Sequence, residues 1–150
     1  MNVGKNVLTK RIKPDGSTYA VAAGTSDLES DIVDTAGYEG VRFITGFGAI
    51  TSGAVTSTKV QQNSANSGTG MADLEGSGVT VADTHDDKIV ITEIRNPRER
   101  YLRTVIDRGT QNAVVDFMIV ELFDPRVKPI TEDASVIASE VFNSPAEGTA

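Results

Sequence analysis

The sequence predicts a mainly β protein, an antiparallel β-sandwich or jelly-roll-like barrel, built as one domain with extended N- and C-terminal arms. Three observations carry that prediction. Aromatic residues make up only 5% of the chain, and Val, Ile and Thr supply much of the remaining bulk; their branched side chains lose rotamer freedom in helices but pack well on a pleated surface. Three β-rich runs, "KIVITEI" (88–94), "YLRTVID" (101–107) and "AVVDFMIVELF" (113–123), are separated only by "RNPRER" and "RGTQN". Connections that short suit antiparallel strands, because parallel crossovers need a dozen residues or more. The last run is apolar on both alternating faces, with Val115, Phe117 and Ile119 on one and Met118, Val120 and Leu122 on the other. It should be a central strand covered on both sides, which requires a second layer.

The elements follow in order. Residues 1–25 read as an arm or edge strand around "STYAVAAG" (17–24). The core spans 26–123. In "SDIVDTAGYEGVRFITGFGAI" two strands are expected, the second from about Val41 to Ile50, where Gly46 and Gly48 should mark a bulge or a close backbone approach. "AVTSTKVQQ" from Ala54 is polar enough to lie at an edge or to show one face to water. "NSANSGTGMADLEGSG" (63–78) is a loop by composition, with one helical turn expected at "MADLE". From 88 to 123 the three runs should form a meander. After Phe123 the character changes: Pro125 and Pro129 favour an extended path through 124–150. "SVIASEVF" there is too apolar for a solvated tail and too short for a core of its own, so this arm needs a surface to lie on.

Bulk properties narrow the function. At 150 residues the chain can remove roughly 70% of its unfolded surface from water in a single core. It has no cysteine, which excludes disulfides, thiolate zinc sites and cysteine nucleophiles together. The N-terminal stretch lacks the apolar run of a signal peptide, and no segment approaches the ~20 apolar residues that span a bilayer. Synthesis in a cytoplasm, without export and without a membrane partner, is therefore expected. A formal charge of −7 repels nucleic-acid phosphate at long range.

No motif points to catalysis, and no cofactor is expected. His85, the single histidine, sits in "ADTHDDK" beside Asp83, Asp86 and Asp87. It could be a metal ligand or general base, but a His–carboxylate metal site recruits ligands at defined spacing and no second histidine exists. A turn whose aspartates bond backbone N–H groups fits better. No G-x-S-x-G elbow occurs, "EGSGV" has the wrong spacing, and "GFGAIT" lacks the third glycine of a dinucleotide fingerprint.

Arg95, Arg98, Arg100, Arg103 and Arg108 are dense against this acidic background. A nucleic-acid surface would interleave aromatics for stacking, and only Tyr101 stands among them. A solvated hairpin tip paired with Glu93, Glu99 and Asp107 is one reading. A protein interface, where guanidinium forks fix carboxylates in orientation, is the other. With Val136, Ile137, Val141 and Phe142 of the C-terminal arm, these arginines are the candidate interface residues.

The segments "DTAGYEGVRFITGFGAIT" (34–51), "KVQQ" (59–62), "VTVADTHDDK" (79–88), "RNPRERYLRTVIDRGTQNAVVD" (95–116) and "SPAEGTA" (144–150) occur here in that order. In order and spacing they resemble a family of small structural proteins of tailed bacteriophages, encoded with head genes. The resemblance runs from about Ser30 to the end and leaves the first thirty residues unmatched. It implies a virion component, a capsid decoration or cement protein on the outer head surface, with the major capsid protein for a partner; self-association as a homotrimer is expected besides, because a symmetric oligomer straddling several subunits gains avidity. The alternatives are head–tail joining, a tail component, or a carbohydrate-binding sandwich that uses the 63–78 loop on host glycans.

Overall fold

Among the described residues, alternation of branched apolar and polar side chains produces ten strands and almost no helix. The computed structural model describes residues 3–109 and 112–149. The extreme ends of the two expected arms, and Thr110 and Gln111 in the expected "RGTQN" connection, lie outside the described residues. A single helical turn, α1 (Val3–Asn6), leads into β1 (Val7–Ile12), β2 (Leu28–Glu29), β3 (Val33–Asp34), β4 (Tyr38–Ile50) and β5 (Val55–Asn63). Then come β6 (Ala72–Asp73), β7 (Val79–Ala82), β8 (Ile89–Arg95), β9 (Tyr101–Asp107) and β10 (Ala113–Pro125). No helix among the described residues is long and apolar enough to cross a membrane.

The strands form two antiparallel sheets. The first has the order β1-β10-β4-β8; the second has the order β2-β9-β5-β6, with β3 also on β9 and β7 also on β5. Val41, Phe43, Met118, Val120 and Leu122 from the first sheet meet Val60, Val81, Leu102 and Ile106 from the second in one buried cluster. This is the antiparallel sandwich. The first sheet stops at β1 and β8 without joining them, so the barrel alternative is excluded.

The expected meander is not formed. β8 pairs with β4, β9 with β5, and β10 lies between β1 and β4, so consecutive strands alternate between sheets. Asn96–Arg100 carries the chain from one sheet to the other, with Asn96 in a left-handed conformation and its N–H on the Glu39 carbonyl at 2.8 Å. Sheets stack ~10 Å apart, a gap that a five-residue link crosses as easily as it closes a hairpin. Connection length therefore did not discriminate between the two.

β10 is central, as expected, but its two faces are unequal. Val115, Met118, Val120 and Leu122 are buried in the core, whereas Phe117, Ile119, Glu121 and Phe123 are only half-buried on the outer side. Register shifts between Ala113 and Phe117 place Val115 on the Met118 face rather than with Phe117 and Ile119. The close approach expected around Gly46 is present: the Phe117 ring lies against it so tightly that a Cβ there would collide with the ring, and Phe123 covers Gly40 in the same way. Aromatic rings covering strand glycines from a neighbouring strand restore the packing that the missing side chains would give.

Three further expectations change. "STYAVAAG" is not a strand; it meets β10 through a Val21–Val115 bridge and an Ala113 N–H bond to the Gly24 carbonyl at 3.4 Å. Its Ala22 carbonyl, with that of Ser26, accepts hydrogen bonds from the buried Arg108 side chain instead of a ladder. The true edge strand of the N-terminal region is β1, whose six residues pair with β10 from Val7↔Phe123 to Ile12↔Met118. β5 is not an edge, since it lies between β9 and β6 and β7, but it does show one face to water: Ser57, Lys59 and Gln61 are half-exposed while Thr56, Thr58 and Val60 face the core. Finally, "MADLE" is extended: Ala72–Asp73 pair with Gln61–Gln62. Leu74 packs on the core, and the Ser77 hydroxyl donates to the Leu74 carbonyl at 2.8 Å while accepting from the Val60 N–H at 3.0 Å.

Candidate interaction surface

The five arginines do not share one surface. Arg103 sits in mid-strand on β9 and is 7% exposed. Its guanidinium forks onto Glu29 at 2.6 and 2.9 Å and donates from Nε to Gln61 Oε1 at 2.8 Å. On the same outer face Asp73 accepts from Lys59 Nζ and Gln61 Nε2, both at 2.7 Å, and those two bonds hold its carboxyl below the usual carboxylate range. Arg108, 5% exposed, donates to the carbonyls of Ala22, Ser26 and Ala113 at 2.7, 2.8 and 3.0 Å. Burial pushes its pKa down. A Cβ on Gly24 would lie 2.8 Å from the Arg108 Nη2, so the loop can wrap that guanidinium only because residue 24 is glycine. These two arginines tie the chain to itself, which corrects the expectation that both face a neighbour. Hydrogen bonds with one ionised partner are the strong class.

Arg95, Arg98 and Arg100 are exposed, as an interface would require. Arg100 forks onto Asp34 with both bonds at 2.7 Å and stacks over Tyr101 at 5.1 Å. The Arg100 guanidinium holds the Asp34 carboxyl below its usual range, and Asp34 in turn raises the arginine. Arg95 Nε bonds Glu93 at 2.6 Å. Arg98 opens onto a notch of about 440 Å³ shared with Arg100, Arg126, Asn96 and Tyr38.

The His85 loop is fastened in place. The Ala82 N–H donates to His85 Nδ1 at 3.1 Å, Asp86 Oδ1 accepts from the Ile50 N–H at 2.6 Å, and Asp83 Oδ2 accepts from the Gly53 N–H at 2.7 Å. The aspartates thus cap the β4–β5 turn, a longer-range version of the backbone bonding expected of them. Among the described residues no group of three or more His, Cys, Asp or Glu side chains is placed to hold a metal ion.

The C-terminal arm leaves β10 at Pro125 and runs past β1. The Ile130 N–H reaches the Lys5 carbonyl at 3.3 Å, and the Arg11 N–H on β1 donates to Ser135 Oγ at 2.9 Å. Val136 is half-buried in a shallow groove against Val7 and Thr9. Beyond it, Ile137 is fully exposed, Phe142 is 73% exposed and Val141 53%. Three of the four apolar arm residues singled out by sequence therefore stay more than half exposed in the isolated chain.

Sequence reading missed a further apolar surface. β8 ends the first sheet, and its Ile89 and Ile91 are 53% and 45% exposed. Ile91 pairs across to Ile44, which pairs to Ile119, so a branched apolar row crosses the outer face. Between β8 and β7 opens a cleft of about 340 Å³ lined by Phe47, Val79, Val81, His85 and Ile89 among others. The signal was present in "KIVITEI", which is apolar on both alternating phases, so that one set had to face outward unless something covered it.

No protein-family model matches the chain, and no curated protein is significantly similar to it.

Proposed function

We propose that this chain is a structural protein of a tailed-bacteriophage virion, a capsid decoration or cement protein that binds the outer head surface and stabilises the major capsid lattice. The observation that carries the reading is the pairing of a closed sandwich core with an arm whose Ile137, Val141 and Phe142 have no surface of their own. The ordered sequence resemblance to phage head-encoded proteins supplies the setting. The mechanism is linkage: a protein that binds only the assembled, expanded lattice stabilises that state by its binding free energy, about 2.7 kcal/mol per site when its concentration is a hundredfold above Kd. Copies joined as a trimer at local three-fold positions straddle several capsid subunits and gain avidity from individually weak contacts. The 63–78 loop does not favour the glycan alternative, because it carries no aromatic ring and its Asn63 side chain braces the Ser67 and Thr69 carbonyls.

The test is to compare heads with and without the protein. Heads lacking it should release DNA at lower temperature or in lower salt, and adding purified protein should restore the wild-type midpoint. Equal midpoints, with no protein bound to heads, would overturn the reading.

A further inference from the structure

We infer that the bare edge of β8 is the docking site for the C-terminal arm of a second copy of this chain, which adds residues around 137–142 as an extra strand on the first sheet. This deepens the self-association part of the reading above but needs no capsid.

The acceptor is an edge with its backbone groups unpaired on one side. Its seven residues, Ile89–Arg95, run ~23 Å and carry exposed Ile89 and Ile91. Natural sheets blunt such edges with proline, bulges, central charges or a covering segment. β8 has no proline and no bulge against β4, its charges fall only at Glu93 and Arg95, and nothing among the described residues covers it. The opposite edge of the same sheet is treated differently: 130–136 run along β1 and bond to it.

The donor matches the acceptor in length, polarity and charge. In an extended arm Ile137 and Val141 project to one side and Val136 and Phe142 to the other, the period a strand requires. Ile137 and Val141 can lie on the Ile89–Ile91 surface while Phe142 enters the cleft beside Val79 and Phe47, with Val136 staying in its own groove against Val7 and Thr9. From Pro129 to Thr149 the arm carries Glu132, Asp133, Glu140 and Glu147 and no lysine or arginine, whereas β8 is flanked by Lys88, whose ammonium meets the neutral Thr84 carbonyl at 3.3 Å; Arg95 at the far end is already paired with Glu93. The nearby Asp83 and Asp86 carboxylates are already engaged by the Gly53 and Ile50 N–H groups.

Reach decides whose arm it is. The molecule's own arm is held at β1 through Ser135, three strand spacings of ~4.8 Å from β8. Crossing that ~14 Å uses about four or five residues at ~3.3 Å each, so Val136 and Ile137 would be spent on the crossing and the molecule's own arm could not lay the whole of 137–142 along β8. A neighbour's arm has no such constraint. An arm-to-edge contact uses two different surfaces and is heterologous, so it closes into a ring when the rotation permits.

The absence of cysteine makes a direct trap available. Full-length protein carrying both Ile91→Cys and Val141→Cys, oxidised in dilute solution, should give intermolecular cross-links ending in a closed oligomer on a non-reducing gel. Cross-links within single chains only, or none, would overturn the inference. A mixing experiment guards against misfolding. An arm variant (Ile137→Asp with Val141→Asp) and an edge variant (Ile89→Lys with Ile91→Lys) should each sediment as monomers. Their equimolar mixture should form dimers, because one intact edge then meets one intact arm. Wild-type protein that stays monomeric at its highest soluble concentration, or a mixture that stays monomeric, would contradict it. Oligomers that fail to bind heads would leave this inference standing and remove the capsid reading.

Discussion

The outer faces of the two sheets are finished in opposite ways. On the second sheet, Arg103, Glu29, Gln61, Asp73 and Lys59 bond to one another, so that most of the polar groups find their partners within the chain. On the first sheet, Arg42 meets Glu121 at 3.3 Å and Arg95 meets Glu93 at 2.6 Å toward one end, but toward the other a row of isoleucines runs out to an uncovered edge strand. A face whose charges are satisfied internally gains little from a neighbour, whereas exposed branched side chains beside unpaired backbone gain about 25 cal/mol for each Å² covered. The contrast teaches that the density of arginine in a segment is a poor guide to which surface is sticky.

The largest effect should come from Arg108→Ala. It leaves three backbone carbonyls without their donor and a void beside Gly24, and should cost about 3 kcal/mol in denaturant unfolding. Loss of stability below about 1 kcal/mol would mean that the loop holds its place without that guanidinium. Arg103→Ala should cost less, about 1–2 kcal/mol, because its partner Glu29 is 59% exposed and solvent screens the pair. On the first sheet the same measurement should register almost nothing: Ile89→Lys with Ile91→Lys should shift unfolding by no more than about 0.5 kcal/mol while abolishing self-association. A large loss of stability there would show that these residues serve the fold and would erase the contrast.

The smallest effect concerns Asp34. Its carboxyl titrates below 3.8 because of Arg100, so the ionised form is favoured by folding. That contribution is present above the unfolded-state pKa and is lost as pH falls through the depressed folded value. Asp34→Asn should therefore be slightly less stable than wild type near neutrality, and the two curves should converge once the pH is well below 3.8. A difference that persists in acid would point to geometry rather than charge.

Much of the strand content is legible in the residues, while the sheet membership is not. "YLRTVID" coincides with β9 and "KIVITEI" is offset from β8 by one residue, because branched side chains leave few alternatives to a strand. Which sheet each strand joins depends on long-range pairing, such as Gln61 with Arg103, that no local pattern records. β1 escaped notice because "VLTKRI" is half polar, and β5 looked like an edge because threonine in a core has the shape of valine and the composition of a surface. The arginines could have been divided in part. Arg103 lies inside a strand, where alternation fixes its side, whereas Arg98 and Arg100 follow Pro97 in a turn and Arg95 ends the strand before it. Glu29, seventy-four residues away, could not have been named as its partner.

The most direct test of the account is a side-chain-resolved map of heads saturated with this protein. The account predicts Ile137, Val141 and Phe142 buried against another chain, β8 carrying an added strand, and the Arg103–Glu29 face bare to solvent. Arms free in solvent with β8 uncovered, or contacts made through the Arg103–Glu29 face instead, would contradict it.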